Sequence, residues 1–127
     1  VAEINRQAFD AGSTVTLTND VEEAFDWAQA VYAKSWGGRM FYGDAAEDIE
    51  ERAQYRERWI VDAAKMRRTD NGIFMHCLPV RRNCIVTDEV IDSPASVVID
   101  EAENRLHVQK AVMAELLGGS KGKRGSG

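Results

Sequence analysis

The feature that most constrains this chain is an alternation of short β-branched or apolar runs with capped helical segments. Thr14-Val15-Thr16-Leu17-Thr18 alternates and is rich in β-branched residues, as a strand does. Asp20 then stands where a helix N-cap belongs, with Glu23 three residues on as a capping-box partner. Val21, Ala24, Phe25 and Ala28 give that helix an apolar face. Ala30-Val31-Tyr32-Ala33-Lys34 is nearly all apolar, the pattern of a strand covered on both faces. Residues 46–57 are charged and helix-prone. Trp59-Ile60-Val61 is a short extended candidate, and Asp62 caps a small helix through Met66. Ile73-Phe74-Met75-His76-Cys77-Leu78 predicts a further strand, stopped by Pro79. Thr87 or Asp88 opens a short helix through Ile91. Ser96-Val97-Val98-Ile99 predicts a last strand, and Asp100, with Glu103 behind it, caps the final helix. Ala102, Leu106, Met113 and Leu117 share one face of that helix, which Gly118 ends. Residues 1–11 predict another helix, stopped by Gly12.

Strands alternating with helices imply an α/β fold with a parallel sheet. Its 127 residues suit one domain, here residues 1–117. Residues 118–127 are Gly, Ser and basic only, a flexible tail that cannot bury enough apolar area to offset its chain entropy. Residues 37–45 hold three glycines among aromatic and polar residues, the look of a functional loop. A net charge of −5 argues against a general nucleic-acid binder. No apolar run approaches the roughly 18 residues that a membrane span needs. Two cysteines, Cys77 and Cys84, make no disulfide framework, and an acidic body with so few suits a reducing cytoplasm. Residues His76, Cys77 and Cys84 fall short of a zinc ligand set, so no metal is expected.

In parallel α/β sheets ligands bind beyond the carboxyl ends of the strands. That rule points to Lys34-Ser35-Trp36 and to His76-Cys77-Leu78-Pro79-Val80-Arg81-Arg82-Asn83. Pro79 donates no N–H, so carbonyls near the strand end are left free to accept from a ligand amide or amine. Arg81 and Arg82 follow at once and can clamp a carboxylate or phosphate. A strand end with solvated arginines explains the same residues. Lys34 is either a point charge for a substrate carboxylate or a snorkelling surface lysine. Arg105 is a cation early in a helix, either paired with Glu101 or Glu103 or facing a ligand anion. Trp36, Phe41 and Tyr42 can form a closing, water-excluding loop.

Three stretches carry a resemblance: His76-Cys77-Leu78-Pro79, Thr87-Asp88-Glu89-Val90-Ile91-Asp92, and Asp100-Glu101-Ala102-Glu103-Asn104-Arg105-Leu106-His107-Val108-Gln109-Lys110. Together they resemble the carboxyl-terminal, amino-acid-binding part of an aspartate/ornithine carbamoyltransferase, over about residues 1–117. Ornithine enzymes of that family carry an Asp and a Ser-Met-Gly stretch at the second strand's end. Here Tyr32-Ala33-Lys34-Ser35-Trp36-Gly37 stands instead. With Arg81-Arg82-Asn83 this version is similar to the N-acetylornithine and N-succinylornithine carbamoyltransferases. A free α-amino group wants an acidic partner; an acylated one does not.

The resemblance implies a Rossmann-like three-layer sandwich, partial relative to the family's five-stranded substrate domain, and open to rearrangement or swapping because two central strands are missing. It implies transfer of the carbamoyl group of carbamoyl phosphate to the side-chain amine of an N-acylated ornithine, in arginine biosynthesis, with no cofactor. By carry-over, the main-chain carbonyls of Cys77 and Leu78 orient the carbamoyl group and the attacking amine. Arg105 binds the carbamoyl phosphate end, and Lys34 and Arg81 hold the amino-acid end. Trp36, His76 and Pro79 complete the substrate wall. Ile85 stands where some N-acetylornithine enzymes have a lysine, and Glu103 where the succinyl type has an alanine, so the acyl group stays open with acetyl favoured. The family's Ser-x-Arg-Thr-Arg run is absent from the 127 residues. The expectation is therefore half an active site, inactive alone, in a homo-oligomer: a trimer as in the family, or a swapped assembly. The alternative is a non-catalytic α/β fragment, or an engineered assembly or folding chain derived from such an enzyme.

Overall fold

A computed structural model describes residues 2–36 and 45–118. The elements run α1 (Ala2–Asp10), α2 (Val21–Phe25), β1 (Ala30–Tyr32), α3 (Ala45–Trp59), α4 (Ala63–Met66), β2 (Ile73–Met75), α5 (Asp88–Ile91) and α6 (Val98–Leu117). The strands β1 and β2 pair in parallel, Ala30 against Ile73, Val31 against Phe74 and Tyr32 against Met75. The chain between them passes through α3 and α4, the long crossover that a parallel pair requires. On the far side of β2, Phe74 donates its N–H to the Ala95 carbonyl (2.8 Å) and accepts from Val97 N–H (3.0 Å). The fold is α/β with a small parallel sheet, as the alternation predicts.

Side chains alternate across the sheet, and each face has its own cover. Val31 and Phe74 look toward Phe25 of α2, Val61, Ala63 and Met66 around α4, and Val90 and Ile91 of α5. Phe74 is fully buried at the centre of this core. Tyr32 looks the other way and meets the first turn of α6. Helices therefore lie on both faces, and both strands and the start of α6 converge at the sheet's carboxyl end.

Local chemistry explains the helix starts. The Asp20 carboxylate accepts the N–H groups of Glu22 (2.9 Å) and Glu23 (3.2 Å). The capping box closes differently from its usual form. Asp20 N–H donates to Thr18 Oγ1, and the Thr18 hydroxyl donates to Glu23. Asp62 accepts from Lys65 N–H at 2.8 Å to open α4. Gly12 has φ 71°, the left-handed stop expected after α1. Gly72 is required by space: a Cβ there would lie 2.8 Å from the Ala28 carbonyl oxygen, which sets how closely the turn before β2 approaches β1.

Four expectations need correction. Residues 14–18 form no strand; they are exposed, with no sheet neighbour, and an isolated strand does not hold itself. Trp59 ends α3, and Ile60 N–H still bonds the Arg56 carbonyl, so only Val61 makes a bridge, to Val86. The strand over 96–99 shrinks to one bridge at Ser96, because Val98 and Ile99 already belong to α6. Asp100 is consequently inside the first turn of α6 rather than its cap; Val97 holds the cap position without a side-chain bond. Asp100 and Glu101 there complement the helix dipole. Residues 37–44 of the glycine loop, with Phe41 and Tyr42, and residues 119–127 of the tail lie outside the described residues.

Candidate functional site

The carboxyl ends of β1 and β2 bring Lys34, His76, Cys77 and Leu78 together. Lys34 Nζ lies 3.4 Å from Cys77 Sγ, so the second residues beyond each strand meet across the sheet. His76, one residue earlier, is buried, 1% exposed. Its Nδ1 accepts the N–H of Leu78 at 3.0 Å, which places the ring proton on Nε2. Nε2 is buried without a partner among the described residues. Burial, reinforced by the Lys34 ammonium and opposed by Glu101, holds the His76 pKa below the ordinary histidine value. The imidazole is neutral at pH 7.

The backbone at this corner is unusual. Leu78 has φ 44°, a left-handed conformation that costs a non-glycine residue about 1–3 kcal/mol and is found mostly where function demands it. The Leu78–Pro79 peptide is cis. The carbonyl oxygens of Cys77 and Leu78 accept no hydrogen bond from any described residue, and both residues are only half-buried. Two peptide acceptors are thus left open beside an ammonium group. Pro79 is exposed next to them.

Two residues that sequence reasoning missed join this cluster. The Tyr32 hydroxyl donates to Glu101 Oε1 at 2.6 Å, linking β1 to the first turn of α6. The hydrogen bond to Glu101, with desolvation and the nearby Cys77 adding to it, pushes the Tyr32 pKa up to about 12. Glu101 Oε2 is buried with no partner among the described residues. Glu101 sits in an acidic first turn that the helix dipole alone explains, and its partner is 69 positions away, so no local signal marks the pair.

The remaining candidates stand apart. Trp36 packs on Trp59, ring centroids 6.5 Å apart and tilted by 47°. It borders, with Lys34, a groove of about 420 Å³ along β1. Arg81 is exposed and faces a different cavity, about 450 Å³, shared with Asp48, Arg52, Arg56 and Cys84. Arg82 is not available as the second arm of a clamp. Asp92 (2.6 and 2.7 Å) and Asp88 (2.8 Å) hold its guanidinium, which keeps both carboxyls below their ordinary range. Arg105 is exposed on α6 and pairs with neither Glu101 nor Glu103; His107 takes Glu103 instead, at 3.3 Å. Both cysteines are free thiols.

A parallel sheet with open peptide acceptors and a cation at its carboxyl end defines an α/β domain of the kind that presents its polar groups to a ligand at the strand tips. Residues 1–116 match the family model of the aspartate/ornithine carbamoyltransferase Asp/Orn binding domain. The chain belongs to the aspartate/ornithine carbamoyltransferase family. It is 50% identical over 112 residues to the N-acetylornithine carbamoyltransferase of Xanthomonas campestris, covering 88% of this chain and 33% of that protein. It is 45% identical over 117 residues to the ornithine carbamoyltransferase of Pyrococcus horikoshii, covering 91% of this chain and 36% of that one. The crystal structure of acetylornithine transcarbamylase complexed with acetylcitrulline superposes with a TM-score of 0.75 at 49% identity, over 87% of this chain and 33% of that chain. The chain spans about a third of the length of the curated relatives it matches.

Proposed function

We propose that these 127 residues supply the amino-acid-binding wall of a carbamoyltransferase that moves the carbamoyl group of carbamoyl phosphate to the side-chain amine of an N-acylated ornithine. The observation that carries this reading is the Lys34–Cys77 contact at the strand tips. A cation there suits a carboxylate-bearing substrate whose α-nitrogen is acylated and neutral, and would repel a free α-ammonium group. The higher identity to the N-acetylornithine enzyme supports the same choice, with acetyl as the favoured acyl group.

In this reading residues 1–117 are the binding domain and residues 118–127 its tail. The carbonyls of Cys77 and Leu78 accept from the carbamoyl NH2 and from the attacking amine, holding the nucleophile in line. Neutral His76 fixes the Leu78 N–H and so the direction of the turn. Lys34 meets the substrate carboxylate, with Trp36 beside it in the same groove and Pro79 shaping the corner. Arg105 approaches the carbamoyl phosphate. Rate acceleration rests on orientation and on electrostatic stabilisation of the phosphate that leaves. The setting is cytoplasmic, the enzyme a homo-oligomer, and the ligands are small molecules. Among the described residues no helix is long and apolar enough to cross a membrane.

Citrulline formation from carbamoyl phosphate tests this, with N-acetylornithine, N-succinylornithine and free ornithine as acceptors. The assay uses the chain alone and the chain replacing the matching third of the Xanthomonas enzyme. The expected result is no turnover alone, and turnover of the acylated substrate in the chimera. Lys34→Ala in the chimera should lower kcat/KM about 10- to 100-fold, the worth of one charge-assisted hydrogen bond. A preference for free ornithine would overturn the proposal.

A further inference from the structure

Past the end of β1 the Ala33 N–H still donates to the Met75 carbonyl (3.0 Å), so the chain stays extended and Tyr32 and Lys34 leave it on the same face. Both reach Cys77, just beyond β2. Lys34 Nζ is 3.4 Å from Cys77 Sγ, and the Tyr32 hydroxyl lies beside the same thiol. That hydroxyl donates to Glu101 Oε1 at 2.6 Å. The four groups therefore run ammonium, thiol, phenol, carboxylate.

The two end groups carry opposite charge, and both act on the His76 ring, the ammonium lowering its proton affinity and the carboxylate raising it. Yet they do not pair with each other: Lys34 takes the thiol and Glu101 takes the phenol. Glu101 keeps acceptor capacity in hand, because its Oε2 is buried with no partner among the described residues. An ammonium group held by an internal carboxylate has less to offer a second one, so Glu101 is the competitor for any carboxylate that Lys34 is to bind.

We propose that Tyr32 is a positioning residue for substrate binding: its hydroxyl holds Glu101 at the first turn of α6 and so keeps the Lys34 ammonium free for the carboxylate of the acylated ornithine. The inference rests on the reading of Lys34 given above. It adds the reason that a cation stays available at the strand tips although a carboxylate belongs to the same cluster. Tyr32 acts through Glu101 rather than on the substrate.

Two measurements test it. The first takes KM and kcat for the acylated ornithine in the chimera described above. Tyr32→Phe removes the donor and releases Glu101 toward Lys34, so KM should rise about tenfold, the worth of one charge-assisted hydrogen bond, with kcat within about twofold. The double variant Tyr32→Phe with Glu101→Gln removes the competing charge and should recover the original KM. A purely structural latch between β1 and α6 would give no such rescue. The second measurement reads the 127-residue chain without turnover, as the rate of Cys77 alkylation by iodoacetamide, resolved from that of Cys84 by peptide mapping. A neighbouring ammonium favours the reactive thiolate, so drawing Lys34 away in Tyr32→Phe should slow alkylation about threefold, and the double variant should restore it. An unchanged KM and alkylation rate in Tyr32→Phe, or a double variant no better than the single one, overturns the proposal. A chimera that prefers free ornithine overturns the reading of Lys34 instead, and the alkylation rates then decide by themselves whether Tyr32 governs that lysine.

Discussion

At the scale of single residues, His76 is held tightly in place. It is buried, neutral, and its Nδ1 is committed to Leu78. Its pKa is lower folded than unfolded, so the unfolded chain binds the extra proton first. Stability from this group is therefore whole above the ordinary value of 6.5 and is lost as pH falls through the folded pKa. Urea denaturation at pH 7.5, 6.0 and 5.0 should show falling stability, with the decline reduced in His76→Asn, whose side-chain oxygen can still accept from Leu78. A wild-type profile flat over that range would refute this account. Tyr32 gives a second prediction. Its hydroxyl is protonated to about pH 12 by Glu101, so phenolate absorbance should show one tyrosine titrating late, and Glu101→Gln should bring it back toward 10. Lys34, His76, Cys77 and Leu78 were legible in the sequence because strand ends are marked by a proline and by a change from apolar to charged residues. The Tyr32–Glu101 pair was not, since only the sheet's register and the start of α6 set it.

At the scale of elements, the Asp20 and Asp62 caps were legible, while the Asp100 cap and the marginal strands were not. Asp20 and Asp62 each act through a side chain a few residues from its targets, so sequence spacing states the geometry outright. Burial of Asp62 would raise its pKa, but the backbone N–H and ammonium of Lys65 outweigh it and the carboxyl sits low. Asp62→Ala should cost about 0.5–2 kcal/mol, as N-cap deletions do, measured by denaturant unfolding. Residues 14–18 and 96–99 have strand composition, yet strand formation depends on a neighbour that composition does not specify. The first segment finds none, and the second gains a single bridge before helix propensity and the acidic turn of α6 take over. The same reasoning separates α6 from its predicted face. Leu106, Met113 and Leu117 do align, but all three are exposed, because periodicity states which side would be buried and not whether anything is there to bury it.

At the scale of the whole molecule, the small size of the core governs what the chain can tolerate. The buried apolar cluster gathers Phe25, Val61, Phe74, Val86, Val90, Ile91 and Val98 around a two-stranded sheet. Phe74 touches both edges of that arrangement. Its side chain is fully buried, and its peptide group bonds the 95–97 segment while its strand pairs with β1. Truncating a buried phenylalanine to alanine costs about 3–5 kcal/mol, from lost transfer energy and from the cavity left behind. Ordinary domains have only about 5–15 kcal/mol in total. A core this size, with Leu106, Leu116 and Leu117 left in solvent, belongs at the low end of that range. Phe74→Ala should therefore abolish cooperative thermal unfolding at neutral pH, seen as a sloping circular dichroism melt in place of a sigmoid. Ile73→Ala, at an exposed neighbour in the same strand, should keep the sigmoid and shift its midpoint by only a few degrees. Equal loss in both variants would mean that pairing of β2, rather than the contacts of Phe74, holds the sheet to its helices.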